Sequence, residues 1–397
     1  MKSSSPLAMA VLGGGLIAVT YGLARFMFGL FLPAIRADIA LSPTLAGVIG
    51  ALPFVSFVLA ILAAPAVARM LGVRWAATLA AAFALAGLAA IAQAPGPWVL
   101  ALGVLTCGIS TGLSTPVLAS AVHLTVRPAL QGRVNAAINA GTSLGVAAAG
   151  PAVLWWADAW RPAYLAAAGL ALLALLAAAT KLPARSPRAA GCPANAPQPR
   201  VSRRQWLDIT RLSVLAAAMG FVSALYWVFG PDFAVRAGGL SSAGTAWMWL
   251  AVGVGGLAGG AAGDLIQRHG HAISHAFALA MLAASLTLLA ADPSNVVLGL
   301  VSAAAFGGAY MTLTGLYLVG GTQILAQRPA QGPVIPFLAI ACGQIAGSPV
   351  GGWLIGAHGY GVTFGTFAAV GLAVALLSLW LVDVAASAPA RPAGCEQ

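Results

Sequence analysis

The chain has 397 residues, 60% of them hydrophobic and 7% charged, with a formal net charge of +11. So few polar side chains cannot cover the surface of a water-soluble domain of this length, which excludes a soluble enzyme or soluble binding module and places the chain in lipid. The basic excess does not form a nucleic-acid face, because its Lys and Arg residues are dispersed through short loops between apolar runs.

Apolar runs of about 20 residues, enough to cross roughly 30 Å of hydrocarbon as a helix, recur in chain order at 9–32, 44–68, 75–94, 98–122, 134–156, 163–181, 211–231, 243–266, 272–291, 295–320, 333–357 and 361–384. Backbone groups in lipid must be satisfied internally, so each run is predicted to be a helix and the fold all-α. The first run is longer than a signal-peptide core and lacks a small-residue cleavage pattern, so a permanent helix is expected there. With a cytoplasmic amino terminus, fifteen of the 19 Lys and Arg residues fall on the cytoplasmic side and only Arg36, Arg161 and Arg236 on the other, while Arg25 falls inside the first run. The positive-inside rule then puts both termini in the cytoplasm, consistent with a multi-pass protein of a bacterial inner membrane. Cys107, Cys192, Cys342 and Cys395 have no metal or redox spacing, His269, His271 and His275 read as a loop cluster, and no metal or cofactor is expected.

The sequence repeats itself. A shift of 198 brings Gly22 onto Gly220, Pro33 onto Pro231, Gly72 onto Gly270, Pro95 onto Pro293, Gly145 onto Gly343, Pro151 onto Pro349 and Trp155 onto Trp353. Six runs in each copy predict two pseudo-symmetric six-helix bundles, 1–181 and 209–397, joined by a cytoplasmic linker at 182–208, with a substrate cavity between them.

Six plus six helices, a basic central loop and a repeated loop motif resemble the major facilitator superfamily. The stretches Pro65–Arg74 and Gly263–Ala272 match its helix 2–3 motif in degenerate form: Gly72 and Arg74 remain in one copy, and Gly263, Arg268 and Gly270 in the other, but the acidic position is Arg69 or Gln267. The resemblance implies a gating role for these loops and a packing role for Gly145, Gly150 and Pro151 and for Gly343, Gly347 and Pro349. Gly22, Arg25-Phe26, Leu32-Pro33, Leu41-Ser42 and Gly47 look like bacterial permeases grouped with cyanate permeases and sugar-efflux proteins.

Arg25 is the feature a membrane scaffold does not require, since an arginine near a helix centre costs about 2.5–3.5 kcal/mol on insertion scales. All eight Asp and Glu residues fall in loops or at run ends, Asp232 among them, so the expected counter-charge is a substrate anion. Tyr21 lies one turn before Arg25; Tyr226 and Trp227 lie in the seventh run; Tyr310 and Thr314 in the tenth and Gln344 in the eleventh fall on helices that the resemblance places around the cavity. Interfacial anchoring and helix-to-helix hydrogen bonding are the competing roles for these aromatic and polar side chains.

These readings predict secondary active transport of a small anionic or polar organic solute by alternating access, with a coupled proton or an exchanged anion. A monomer in the lipid bilayer, with no nucleic-acid partner, is expected. Efflux of lipophilic drugs or metabolites is the alternative, and a non-transporting membrane sensor a remote one. No nucleotide loop, catalytic triad or paired carboxylates point to an enzyme.

Overall fold

The computed structural model describes residues 5–156, 159–184, 201–328 and 331–381, and every regular element among them is helical. Most of the expected linker and its arginines Arg185, Arg188 and Arg200 lie outside the described residues, as do Cys192 and Cys395.

Nine apolar helical stretches are present among the described residues, and three of them, Pro43–Ala92, Ser242–Ala291 and Val334–Leu381, run 48 to 50 residues. At 1.5 Å per residue each would span roughly 75 Å, more than twice the hydrocarbon thickness. Each is broken by one glycine at positive φ, Gly72 (76°), Gly270 (75°) and Gly359 (80°), a backbone conformation that a Cβ disfavours. Twelve crossings result: α1 (Pro6–Asp38), α2 (43–71), α3 (73–92), α4 (Pro97–Thr125), α5 (Pro128–Trp156), α6 (Trp160–Lys181), α7 (Arg203–Arg236), α8 (242–269), α9 (271–291), α10 (Val296–Ile324), α11 (334–358) and α12 (360–381). Gly72 and Gly270, paired by the sequence repeat, make the same turn between α2 and α3 and between α8 and α9.

Side-chain caps set the amino-terminal ends of several helices, and α7 begins eight residues ahead of its apolar window. Ser202 and Gln205 form a reciprocal capping box ahead of α7, Ser42 accepts from the Leu45 amide at the start of α2, and Asn295 accepts from Val297 and Leu298 at the start of α10.

Small residues bring pairs of helices into backbone contact, and the same crossing occurs twice. A Cβ on Gly22 of α1 would stand 2.3 Å from the Gly145 backbone of α5, and one on the repeat-related Gly220 of α7 would stand 2.1 Å from the Ile340 carbonyl of α11. Gly145 and Gly343 close the same two crossings from the other side, on the Ala18 and Ala217 carbonyls. In lipid, close van der Waals approach replaces hydrophobic burial as the force between helices.

Gly343→Ala would put a methyl carbon 1.9 Å from the Ala217 carbonyl oxygen, whereas Gly365 has open space around it. Thermal unfolding in detergent is expected to show Gly343→Ala destabilised by about 1–3 kcal/mol, the cost of overpacking, and Gly365→Ala near wild type. Equal melting of the two variants would remove this account of the crossings.

Candidate functional site

α1 is not a uniform helix. A π-helical turn at Ala18–Leu23, closed by the Ala24 amide on the Val19 carbonyl, is followed by an irregular turn at 24–26 before regular helix resumes at Met27. Arg25 sits in that interruption; π-turns insert an extra residue and so re-aim the side chains that follow.

The Arg25 side chain is 6% exposed. Its guanidinium carbon lies 4.6 Å from each of the Phe54 and Phe57 ring centroids, 5.3 Å from Phe26 and 5.4 Å from Tyr21. Nη2 donates to Gln344 Oε1 at 3.3 Å, and Gln344 Nε2 donates to the Tyr310 hydroxyl at 3.3 Å. Arg25 Nε is buried without a hydrogen-bond partner, and no Asp or Glu among the described residues pairs with this side chain. Phe26 stacks on Trp227 at 4.0 Å, and the Trp227 ring meets Tyr310 edge-on at 5.1 Å. The Tyr21 hydroxyl shares a 2.8 Å hydrogen bond with Thr115 of α4. Residues of α1, α2 and α11 thus surround the cation, and Tyr310 of α10 and Trp227 of α7 back Gln344 and Phe26 in turn.

Of the sequence-predicted site residues, Arg25, Tyr21, Trp227, Tyr310 and Gln344 meet here. Tyr226 does not: its ring stacks on Phe306 at 4.1 Å and its hydroxyl bonds Ser302 at 3.1 Å, so it joins α7 to α10. Thr314 donates to its own helix at the Met311 carbonyl. Phe54 and Phe57 were not among the predicted residues; their i, i+3 spacing on α2 was the available signal. In the loops, Arg74 donates to the Leu182 carbonyl at 2.7 Å and ties α3 to the end of α6, while Gly263 has open space around it and Arg268 is exposed. Gly150 packs on the Ala246 carbonyl of α8, Gly347 on the Phe221 carbonyl of α7, and Gly47 of α2 on Ser348 and Pro349. Pro151 lies within α5.

Two expectations are corrected. Asp232, expected in a loop or at a run end, is fully buried within α7. Arg36 Nη1 reaches its Oδ2 at 2.5 Å, Arg236 Nε reaches its Oδ1 at 3.0 Å, and the Tyr360 hydroxyl donates to it. The helix continues past Pro231 although the proline sacrifices one backbone bond, and the two arginines offset the buried charge. His275, expected in a loop, is fully buried in α9, its Nδ1 2.8 Å from the His271 carbonyl and its ring 5.2 Å from Tyr317. The loop ends at Gly270, so His275 falls past the first turn of α9.

All three arginines expected on the face where α1 ends are paired: Arg36 and Arg236 with Asp232, and Arg161 with Asp38. Arg36 lies eleven residues from Arg25, roughly 16 Å along a helix, so the buried carboxylate does not neutralise the central guanidinium.

A family model described as Major Facilitator Superfamily matches residues 14–330. No curated protein matches the sequence. Among solved structures, a point mutant of the nucleoside transporter NupG superposes with a TM-score of 0.78 at 14% identity, covering 94% of this chain and 100% of that one. A D-xylose-proton symporter gives 0.75 at 16% identity over 93% of this chain and 95% of that one. The xylose transporter XylE from E. coli, in a partially occluded inward open conformation, gives 0.74 at 15% over 96% and 98%. These likenesses show the fold. With the family match over most of its length, the chain belongs to the Major Facilitator Superfamily and is a multi-pass membrane transporter, not an enzyme.

Proposed function

We propose that the protein is a secondary transporter of a small organic anion, that Arg25 binds the anionic group, and that two bundles, residues 1–181 and 209–397 with the linker 182–208 between them, alternate access to it. The observation that carries this reading is the buried guanidinium with an unpartnered Nε and, among the described residues, no carboxylate beside it. Four aromatic faces offset part of its desolvation, each about 0.5–2 kcal/mol, but an aromatic face is not a counter-ion. A carboxylate taking Arg25 Nε and Nη while accepting from Gln344 would supply one.

A single cation in this aromatic surround favours a singly charged solute with an apolar or planar body over a dicarboxylate, whose second charge would be uncompensated. NupG and the xylose symporter are named for neutral polar solutes; the guanidinium is the reason to expect an anion here.

In this proposal both termini are cytoplasmic in a bacterial inner membrane, so the face where α1 ends is external. Several contacts support closure there. A Cβ on Gly29 would meet the Trp227 carbonyl at 1.8 Å, one on Gly47 the Ser348 carbonyl at 2.4 Å and one on Gly352 the Pro43 carbonyl at 2.3 Å. Arg36, Asp232 and Tyr360 bond α1, α7 and α12 to one another. This state would have to break that cluster before Arg25 could meet the outside.

The second reading, efflux of lipophilic solutes, is favoured by the aromatic group Phe26, Trp227, Tyr310 and Phe306, whose neighbouring centroids lie 4.0 to 6.3 Å apart. Proteoliposome assays with aromatic monocarboxylates against lipophilic cationic dyes separate the two.

Arg25→Ala is expected to weaken monocarboxylate binding by about 2–5 kcal/mol, roughly 30-fold or more, and to leave any dye transport intact; unchanged anion affinity in isothermal calorimetry would sink the proposal. Asp232→Asn leaves two arginines around a neutral side chain, and breaking such a buried pair costs about 3–5 kcal/mol. That variant is expected to shift the population toward the outward-open form, read as about tenfold faster labelling of a Val228→Cys probe by a membrane-impermeant thiol reagent from the outside. An unchanged labelling rate would show that the cluster does not hold the external end shut.

A further inference from the structure

On the face where α1 ends, a crevice of about 670 Å³ lies between α1, α5, α6, α7 and α8, away from Arg25. Its lining is largely apolar, with Pro33 and Ala34 from α1, Pro162 from α6 and Val235 from α7, the nearly buried Leu30 and Val153, and the hydroxyl residues Ser242 and Thr245 of α8. The α5–α8 crossing underlies it: a Cβ on Gly150 would stand 2.8 Å from the Ala246 carbonyl, and one on Gly253 would stand 2.4 Å from the Ala147 amide. At the rim are one cation and one anion, Arg161 and Asp38, ion-paired to each other with side chains 39% and 46% exposed. Arg161 is also held by the Ala94 carbonyl at 2.9 Å and lies over the Trp160 ring at 4.2 Å.

Two exposed tryptophans lie level with this crevice along α5 and α8. Trp155 is 81% exposed and lies two residues from the wall residue Val153; Trp247 is 51% exposed and lies two residues from the lining residue Thr245. Exposed tryptophans on membrane helices settle at the headgroup level.

We propose that the crevice binds one phospholipid of the surrounding leaflet with a zwitterionic, primary-amine headgroup. An acyl chain fills the apolar groove, the phosphate accepts from Arg161 and the ammonium donates to Asp38. The charge pattern selects this occupant. A cation and an anion side by side complement a phosphate and an ammonium two carbons apart, whereas a simple anion would satisfy Arg161 and be repelled by Asp38. The Arg161–Asp38 pair is solvent-exposed and therefore weak, so inserting a headgroup between its members costs little, and Arg161 keeps its Ala94 anchor throughout. A free solute would use the rim and leave the apolar walls unfilled.

The test uses the full-length protein, delipidated in detergent, with phosphatidylethanolamine, phosphatidylcholine and phosphatidylglycerol of identical acyl chains, followed by native mass spectrometry and thermal shift. Wild type is expected to retain phosphatidylethanolamine about tenfold better than the other two, since a quaternary ammonium cannot donate to Asp38 and a glycerol headgroup carries no cation. Asp38→Asn should abolish the preference over phosphatidylcholine while keeping binding, and Arg161→Gln should lower retention of all three. Ala34→Phe, which keeps both charges and fills the groove, should displace lipid and raise the melting temperature in lipid-free detergent. Equal retention of phosphatidylethanolamine and phosphatidylcholine by wild type would overturn the proposal. So would binding of soluble glycerophosphoethanolamine as tight as that of the lipid, which would mark the crevice as a vestibule for solutes.

Discussion

A guanidinium taken out of water must be met by charge, hydrogen bonds or polarisable surface, and at Arg25 the described residues supply the last two but not the first. Two phenylalanines of α2, the adjacent Phe26 and Tyr21 surround the cation, and Gln344 accepts one of its N–H groups. The interruption of α1 at residues 24–26 lets the side chain turn toward α11 instead of following the helix surface. Side chains of α1, α2 and α11 meet the charge directly, and Tyr310 of α10 and Trp227 of α7 hold those neighbours in place.

Around this centre the scaffold is repeated but the chemistry is not. The α1–α5 and α7–α11 crossings use repeat-related glycines, and the α2–α3 and α8–α9 turns use repeat-related positive-φ glycines. At the repeat position of Arg25 stands Ser223, fully buried and donating to the Gly220 carbonyl of its own helix. A pseudo-symmetric frame can be built by reusing helix contacts, because close backbone approach needs only small residues at fixed spacing. A binding site needs an asymmetric cluster, and here one copy holds the cation while the other contributes the amide, the phenol and the indole.

The remaining ionic groups near the membrane are handled differently. Arg36 and Arg236 are matched by Asp232, and Arg161 by Asp38, all toward the face where α1 ends. The buried Asp232 cluster joins helices from both repeats, whereas the exposed Arg161–Asp38 pair sits at the rim of an apolar crevice. Desolvation separates the two cases: a buried pair resists being parted, and an exposed pair exchanges partners readily.

The sequence by itself determined the membrane class, the twelve crossings, the repeat and the lone arginine, because hydropathy, glycine at forced turns and charge are properties of short windows read one at a time. It also supplied five of the residues that meet at the centre, including Gln344, which is 319 positions from Arg25. Only the tertiary structure decided which candidates face one another. Tyr226 and Trp227 are neighbours in sequence, yet one bonds Ser302 and the other stacks on Phe26, since adjacent residues on a helix point about 100° apart. Asp232 read as a run-end residue because a charge ends an apolar window, and it is buried because Arg36 and Tyr360, far away in the chain, arrive to receive it. Helix rotation and long-range pairing leave no local trace, so the counter-charges had to be read from the assembled fold.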